Sequence, residues 1–168
     1  MLKVVSYPDP ILGERARPIE RIDGRLLQLA KEMFETMYED RGIGLAAPQV
    51  GQGVRMCVVN CTGKSDGEIV LINPVVAETG GGEVTEEEGC LSVPGIRSKV
   101  TRFAEVRVRA YDPDGNELDI EADGLEARCL QHEIDHLNGR LFFQRLNEAA
   151  KMTIRHRLKK LEETFQKG

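Results

Sequence analysis

Residues 132–136 read HEIDH, and this pentapeptide constrains the chain more than any other stretch. Residues four apart share one side of a helix, one turn from each other, so the imidazoles of His132 and His136 converge on a single point only if the segment is helical. Two imidazoles placed this way are a metal-ligand pair. Glu133 lies beside them on the helical wheel, near enough to reach a water held by an ion without ligating it. An ion there lowers the pKa of a water and polarises a carbonyl, and the carboxylate moves the protons, which is metal-assisted hydrolysis. A helix that merely buried two histidines would have no use for the glutamate between them.

The surroundings agree with a helix from about Leu125 to Leu137, stopped at Asn138-Gly139, with Leu125, Cys129, His132 and His136 along one inward stripe. An earlier helix starts at Asp23, a good N-cap, and carries Leu26, Leu27, Ala30, Met33, Phe34, Met37 and Tyr38 on one face before Gly42. A last helix spaces Ala150, Ile154, Leu158, Leu161 and Phe165 by threes and fours. Between these, VRMCVVNC, IVLINPVV and EVRVRAY are short, rich in β-branched residues and set off by Gly, Asp and Pro. The turn DPDGN, Asp112 to Asn116, joins two of the strands as a hairpin. The expected fold is α+β, with mostly antiparallel strands around a central metal-binding HExxH helix and helices toward each terminus. At 168 residues, without repeat or linker, the chain is expected to be a single catalytic domain spanning 1–168, with 147–168 as its C-terminal helix.

A formal net charge of -5 argues against general nucleic-acid binding and gives no sign of specific DNA binding. No charged segment leads into an apolar one at the N-terminus, and no apolar run is long enough to cross a bilayer, so the expected location is the cytoplasm, off the membrane. The four cysteines, Cys57, Cys61, Cys90 and Cys129, are then expected to be reduced.

A metal site needs a third protein ligand. The metzincin pattern would place a histidine where Phe142 stands, which excludes that family. Glu148, Glu162 and Glu163 could serve a zincin peptidase but fall on the exposed side or near the end of the last helix. Cys90, in EEEGCLSVPG, is the better candidate, because Glu88, Gly89 and Ser92 make its loop polar and turn-like. Cys57, Cys61 and Cys129 read as packing residues. A further segment, GIGLAAPQVGQG from Gly42 to Gly53, fits neither nucleotide fingerprint. Its glycines let the backbone approach a ligand, and the amide of Gln49 could donate to an oxyanion.

Taken together, GIGLAAPQ (Gly42 to Gln49), EGCLS (Glu88 to Ser92) and HEIDH resemble the three motifs of the bacterial peptide deformylases. YPDPIL, IVLINP and EADGLEARCLQHEIDHLNG extend the resemblance over most of the first 146 residues. It implies a hydrolase that removes the formyl group from the formyl-methionine of nascent polypeptides and releases formate. It also implies that Cys90, His132 and His136 hold the metal, with Glu133 as general base and then acid. The Leu91 backbone N–H and the Gln49 amide would take the oxyanion, and the Gly44 backbone would pair with the peptide. Ile43, Leu125 and Cys129 would supply the apolar pocket for the methionine side chain. By resemblance the ion in the cell is Fe(II); a thiolate and two imidazoles suit Zn(II), Ni(II) and Co(II) as well.

Glu86 and Arg128 stand where some relatives have aliphatic residues, and are expected at the pocket rim, paired with each other. Asp135 with Arg102, and Glu88 with Arg97, are candidate ion pairs behind the ligands. Lys151, Arg155, Arg157, Lys159 and Lys160 lie opposite the apolar stripe of the last helix, a face expected either to be solvated or to dock on the ribosome through RNA phosphates. Two other readings remain: a metallopeptidase independent of Cys90, and a structural Cys-His-His site, which would need a fourth protein ligand.

Overall fold

The computed structural model describes residues 2–168, and its frame is one five-stranded antiparallel sheet in sequence order: β1 (Gly44–Ala46), β2 (Met56–Val59), β3 (Ile69–Cys90), β4 (Val93–Tyr111) and β5 (Glu117–Asp123). With three helices, α1 (Gly24–Glu39), α2 (Gly124–Leu137) and α3 (Glu148–Lys167), the fold is α+β as expected.

The sheet is uneven. β2, MCVV, is buried at all four positions, as a short apolar run bounded by turn residues implies. Its alternate side chains serve two cores. Cys57 and Val59 join Leu71, Val106, Val108 and α2 on one face, while Met56 and Val58 join Ile72 and α1 on the other. β3 and β4 are much longer than the sequence pattern suggests, 22 and 19 residues. They pair from Ile72↔Tyr111 to Cys90↔Val93 through several register shifts. One shift falls between Gly80 and Glu83, where Gly81 and Gly82 take φ of 70° and 74°, so the GGG run is a bend inside a strand. The DPDGN hairpin forms between β4 and β5: Asp112 N–H donates to the Asn116 carbonyl at 2.9 Å, and Gly115 has φ 83°.

Asp23 caps α1 by accepting from the Leu26 N–H at 3.1 Å. Leu26, Ala30, Met33, Phe34 and Met37 are buried, but Leu27 and Tyr38, at the margins of the stripe, stay about half exposed. The helix ends at Glu39, short of the expected Gly42, because Arg41 adopts a left-handed φ of 59° and turns the chain into β1.

α2 lies across the sheet with Ala127, Leu130, Ile134 and Leu137 in the main core. Gly139, just beyond it, has φ 76°, and a Cβ there would stand 2.7 Å from the Gly13 carbonyl oxygen, so only glycine fits this exit. α3 is capped by Asn147, which accepts from Ala150 N–H at 2.8 Å, and is held at the periphery. Among its side chains only Ile154 is fully buried, against Val93, Ile96, Val100 and Phe142. Phe165, expected on the same stripe, is exposed because the helix has by then run past the sheet. Among the described residues, no helix is long and apolar enough to cross a membrane.

Candidate active site

Three elements meet at one cavity of about 550 Å³, within the range of small-molecule and peptide pockets. Ile43 leads into β1, Gly44 begins it and Gln49 comes from the short 3-10 turn after it; Cys90 and Leu91 come from the tip of the β3–β4 hairpin, and Leu125, Cys129, His132 and Glu133 from α2. His136 lies beneath them, almost wholly buried. The sequence reading put Cys90 in a loop. It is instead the last residue of β3, paired with Val93 across a two-residue turn formed by Leu91 and Ser92, so the hairpin fixes its position.

Local packing explains the glycine in β1. A Cβ on Gly44 would stand 2.7 Å from Glu133 Oε1 and 2.8 Å from Cys129 Sγ, so only a glycine lets β1 lie against the middle of α2. The next turn buries Gln49 completely. Its Oε1 accepts from the Ala46 N–H at 2.9 Å, which aims Nε2 at Ser92 Oγ, 3.1 Å away, and at Cys90 Sγ, 3.5 Å away.

Cys90 Sγ is 3.3 Å from His136 Nε2, which is 3.2 Å from His132 Nε2. Among the described residues, the ligand atoms of Cys90, His132 and His136 form the one cluster able to hold a metal, all within 4.8 Å of one another. His132 Nδ1 is 2.9 Å from Glu88 Oε1, and a carboxylate only accepts, so Nδ1 carries the proton and Nε2 presents its lone pair toward the cluster. Three electron-rich atoms converging in a buried site call for a cation. A sulfur and two imidazole nitrogens leave a fourth position open, the mark of a catalytic rather than a closed structural site. Without a cation, the hydrogen bonds to Cys90 and Glu88 override burial and push His132 up to about 10, while burial and the neighbouring His132 and Arg102 hold His136 well below its usual value.

Glu133 is buried and its Oε2 has no hydrogen-bond partner, a costly state for a carboxylate with only a structural role. Burial raises it to about 7, against the pull of His132 and Arg102. A carboxyl poised near neutrality takes and returns a proton with equal ease. Phe142, standing where a third histidine would make a different family, stacks near His132 at a centroid distance of 6.3 Å and closes that side with apolar surface.

Behind the cluster runs a buried ionic network. Glu88 accepts from Arg102 Nε and Nη2, both at 2.9 Å, and from Arg128 Nη1 at 2.5 Å. Asp135 accepts from Arg102 Nη1 at 2.6 Å and from Arg145 through Nε at 2.5 Å and Nη2 at 2.6 Å. Although burial opposes it, the Arg102 and His132 hydrogen bonds hold Glu88 far below the usual carboxylate range. The expected Asp135–Arg102 pair is therefore present, but Glu88–Arg97 is not. Successive side chains of a strand face opposite ways, so Glu88 points inward while Glu87 points out and takes Arg97 at 2.6 Å on the surface. The expected Glu86–Arg128 pair is present as an ion pair at 3.6 Å with Glu86 exposed, but Arg128 itself is buried rather than at the rim. The Ser92 contact to Gln49 and the whole of Arg145 carry no signal in the sequence; both are brought to the site only through the hairpin and the turn after α2.

The model of the polypeptide deformylase family matches residues 1–152. The peptide deformylase of Chromobacterium violaceum is 49% identical over 162 residues, 96% of each chain. The chain belongs to the peptide deformylase family. The enzyme of Neisseria gonorrhoeae is 48% identical over 95% of both chains. Among solved structures, a peptide deformylase from Legionella pneumophila superposes with a TM-score of 0.90 at 42% identity, covering 100% of this chain and 99% of that one. The Plasmodium falciparum peptide deformylase gives 0.94 at 38% identity over 98% and 97%. As a peptide deformylase the chain is a metal-dependent hydrolase that removes the formyl group from the N-terminus of nascent peptides.

Proposed function

We propose that Cys90, His132 and His136 hold the ion, that it is Fe(II) in the cell, and that Zn(II), Ni(II) or Co(II) can take its place. The bound ion supplies Lewis acidity to the formyl oxygen and to a water. Glu133 takes a proton from that water as it attacks, then delivers it to the leaving amine. The Gln49 Nε2–H and the Leu91 backbone N–H donate to the oxygen that gains charge, each contributing about 2.7–4 kcal/mol by analogy with other oxyanion holes. The Gly44 backbone pairs with the peptide, and Ile43, Leu125 and Cys129 enclose the methionine side chain. The observation that carries this reading is the unpartnered Glu133 oxygen beside the Cys90–His132–His136 cluster.

The test is formate release from a short formyl-methionyl peptide by anaerobically prepared protein loaded with Fe(II), Zn(II), Ni(II) or Co(II), with bound metal measured in parallel. Cys90→Ser is expected to lose metal, and Glu133→Gln to retain it without turnover. A fully active form of either variant would remove that residue from its role.

All of 1–168 acts as one catalytic unit in this reading, in the cytoplasm, with α3 as a ribosome-docking element. Arg155, Arg157, Lys159 and Lys160 are exposed on α3 and form a basic stripe in a chain of net charge -5, which suits RNA phosphates. Replacing these four by glutamine should weaken salt-sensitive ribosome association and leave peptide turnover intact; unchanged association would refute the docking role.

A further inference from the structure

An arginine beside an apolar side-chain pocket is costly unless its donors find acceptors. Arg128 follows Leu125 by three residues and directly precedes Cys129, and all three line the same cavity. Its Nη1 donates to Glu88 at 2.5 Å and to the Val100 carbonyl at 2.9 Å, and its Nη2 to the Val84 carbonyl at 2.7 Å. The Nε–H has only the Glu86 carboxylate nearby, at 3.6 Å, too far for a hydrogen bond. The Glu86 side chain is 62% exposed, so it can swing into solvent without disturbing the core.

The Nε–H is thus a donor held in place by these three hydrogen bonds and available at the pocket wall. We propose that this pocket takes a side chain ending in a neutral oxygen acceptor as well as a thioether, so that the enzyme also deformylates peptides beginning with formyl-methionine sulfoxide, whose sulfoxide oxygen accepts from Arg128 Nε. The inference rests on the assignment of Leu125 and Cys129 to the methionine pocket.

Charge balance selects a dipolar group over an anionic one. Glu88 and Glu86 already face the single Arg128 charge, so a substrate carboxylate placed at its Nε would stand beside two acids that share that one cation. A sulfoxide keeps the length and unbranched shape of methionine while adding one strong acceptor. Because sulfoxide sulfur is a stereocentre, a fixed donor on one wall distinguishes its two epimers.

The experiment compares kcat/KM for four otherwise identical peptides, carrying formyl-methionine, formyl-norleucine and each of the two epimers of formyl-methionine sulfoxide, on one Ni(II)-loaded preparation. Ratios within a preparation cancel metal occupancy. For the wild type, one sulfoxide epimer should be used at a rate within about tenfold of norleucine, a charged hydrogen bond offsetting the cost of desolvating the oxygen. Arg128→Met should lower the sulfoxide-to-norleucine ratio by about tenfold or more and erase the epimer preference. Glu86→Gln, which removes the competing carboxylate without touching Glu88, should raise the ratio. If Arg128→Met fails to fold, Arg128→Lys, which keeps the charge but not the Nε–H, replaces it with the same expected loss.

A sulfoxide ratio and epimer preference indifferent to both positions overturn the proposal. Leu125→Asp separates that failure from failure of the pocket assignment. If it depresses use of the norleucine peptide while the sulfoxide ratio ignores Arg128, the pocket stands and only the sulfoxide reading falls. If it leaves norleucine untouched, the pocket lies elsewhere and the proposal falls with it.

Discussion

Around α2 and along α3 the same kinds of charged residue are used on opposite terms. Glu88, Arg102, Arg128 and Asp135 are buried and interlocked at 2.5–2.9 Å behind the Cys90–His132–His136 cluster. Arg155, Arg157, Lys159 and Lys160 stand in solvent on a helix anchored by Ile154 and by the Tyr7 hydroxyl, which donates to Glu162 at 2.6 Å. In the first region each charge is worth what its partner makes it worth, because an unpaired buried ion costs several kcal/mol. In the second, water screens every charge and removal costs almost nothing. A metal ligand has to be held at one orientation, which the first arrangement secures, whereas the second suits a surface that meets a partner.

The largest effect should come from Glu133, the one buried carboxylate at the site that the network leaves without a hydrogen bond on one oxygen. Glu133→Gln should lower turnover by about 10²–10⁴-fold with bound metal unchanged. It should also stabilise the metal-free protein. The folded carboxyl sits at about 7 against an ordinary 4.5, so it lowers stability as pH rises from 4.5 to 7 and by a constant amount above that. Chelated Glu133→Gln should therefore melt higher than chelated wild type at pH 8 and gain much less at pH 4.5; equal gains at both would mean that the carboxyl is ordinary.

Next comes Arg102→Met, which strips donors from both Glu88 and Asp135 and should cost about 3–5 kcal/mol in urea unfolding. A loss below about 1 kcal/mol would place the network in the solvent class of α3. The pH dependence of the network runs the other way from Glu133. Glu88 is depressed in the folded state, so its contribution is complete above its ordinary 4.5 and is lost only as pH falls through its lower folded value. Glu88→Gln should thus narrow the stability gap to wild type only under strong acid, read by circular dichroism during acid titration.

Ile154→Ala tests the only deep anchor of α3 and should cost roughly 2 kcal/mol, the low end for a buried isoleucine, because the helix packs on one side only. The smallest change belongs to Arg97→Ala. Its partner Glu87 is as exposed as it is, so stability should shift by no more than about 1 kcal/mol, in contrast to Arg102 farther along the same strand. A shift as large as that of Arg102 would erase the distinction between the two faces of β3.

Much of the site was legible in the chain. HEIDH dictated a helix and a ligand pair, Cys90 was picked out by its polar neighbours, and Gln49 by its glycine-rich context. Each signal is local, carried by a few adjacent residues and the period of one helix. Asp135–Arg102 was named only as a candidate pair, and its closure over 33 residues is supplied by the packing of α2 on β4. Arg128 was misjudged because a charged residue on a helix ordinarily lies toward solvent, and only the strand it meets supplies the Glu88 carboxylate and the Val84 and Val100 carbonyls that satisfy it. Arg145 carried no local mark at all, lying ten residues beyond its partner Asp135.

By itself, then, the sequence determined the α+β class, the DPDGN hairpin, the capped start of α1 and the chemistry available at Cys90, His132, Glu133 and His136, because hydrophobic period, turn residues and ligand spacing act within a few residues. The tertiary structure alone decided that β3 and β4 stay paired as far as Cys90 and Val93, that Glu88 rather than Glu87 turns inward, and that Arg97 remains outside while Arg128 is taken in. Those outcomes depend on strand register and bulges, and one residue of slip in a strand exchanges every inward side chain for an outward one.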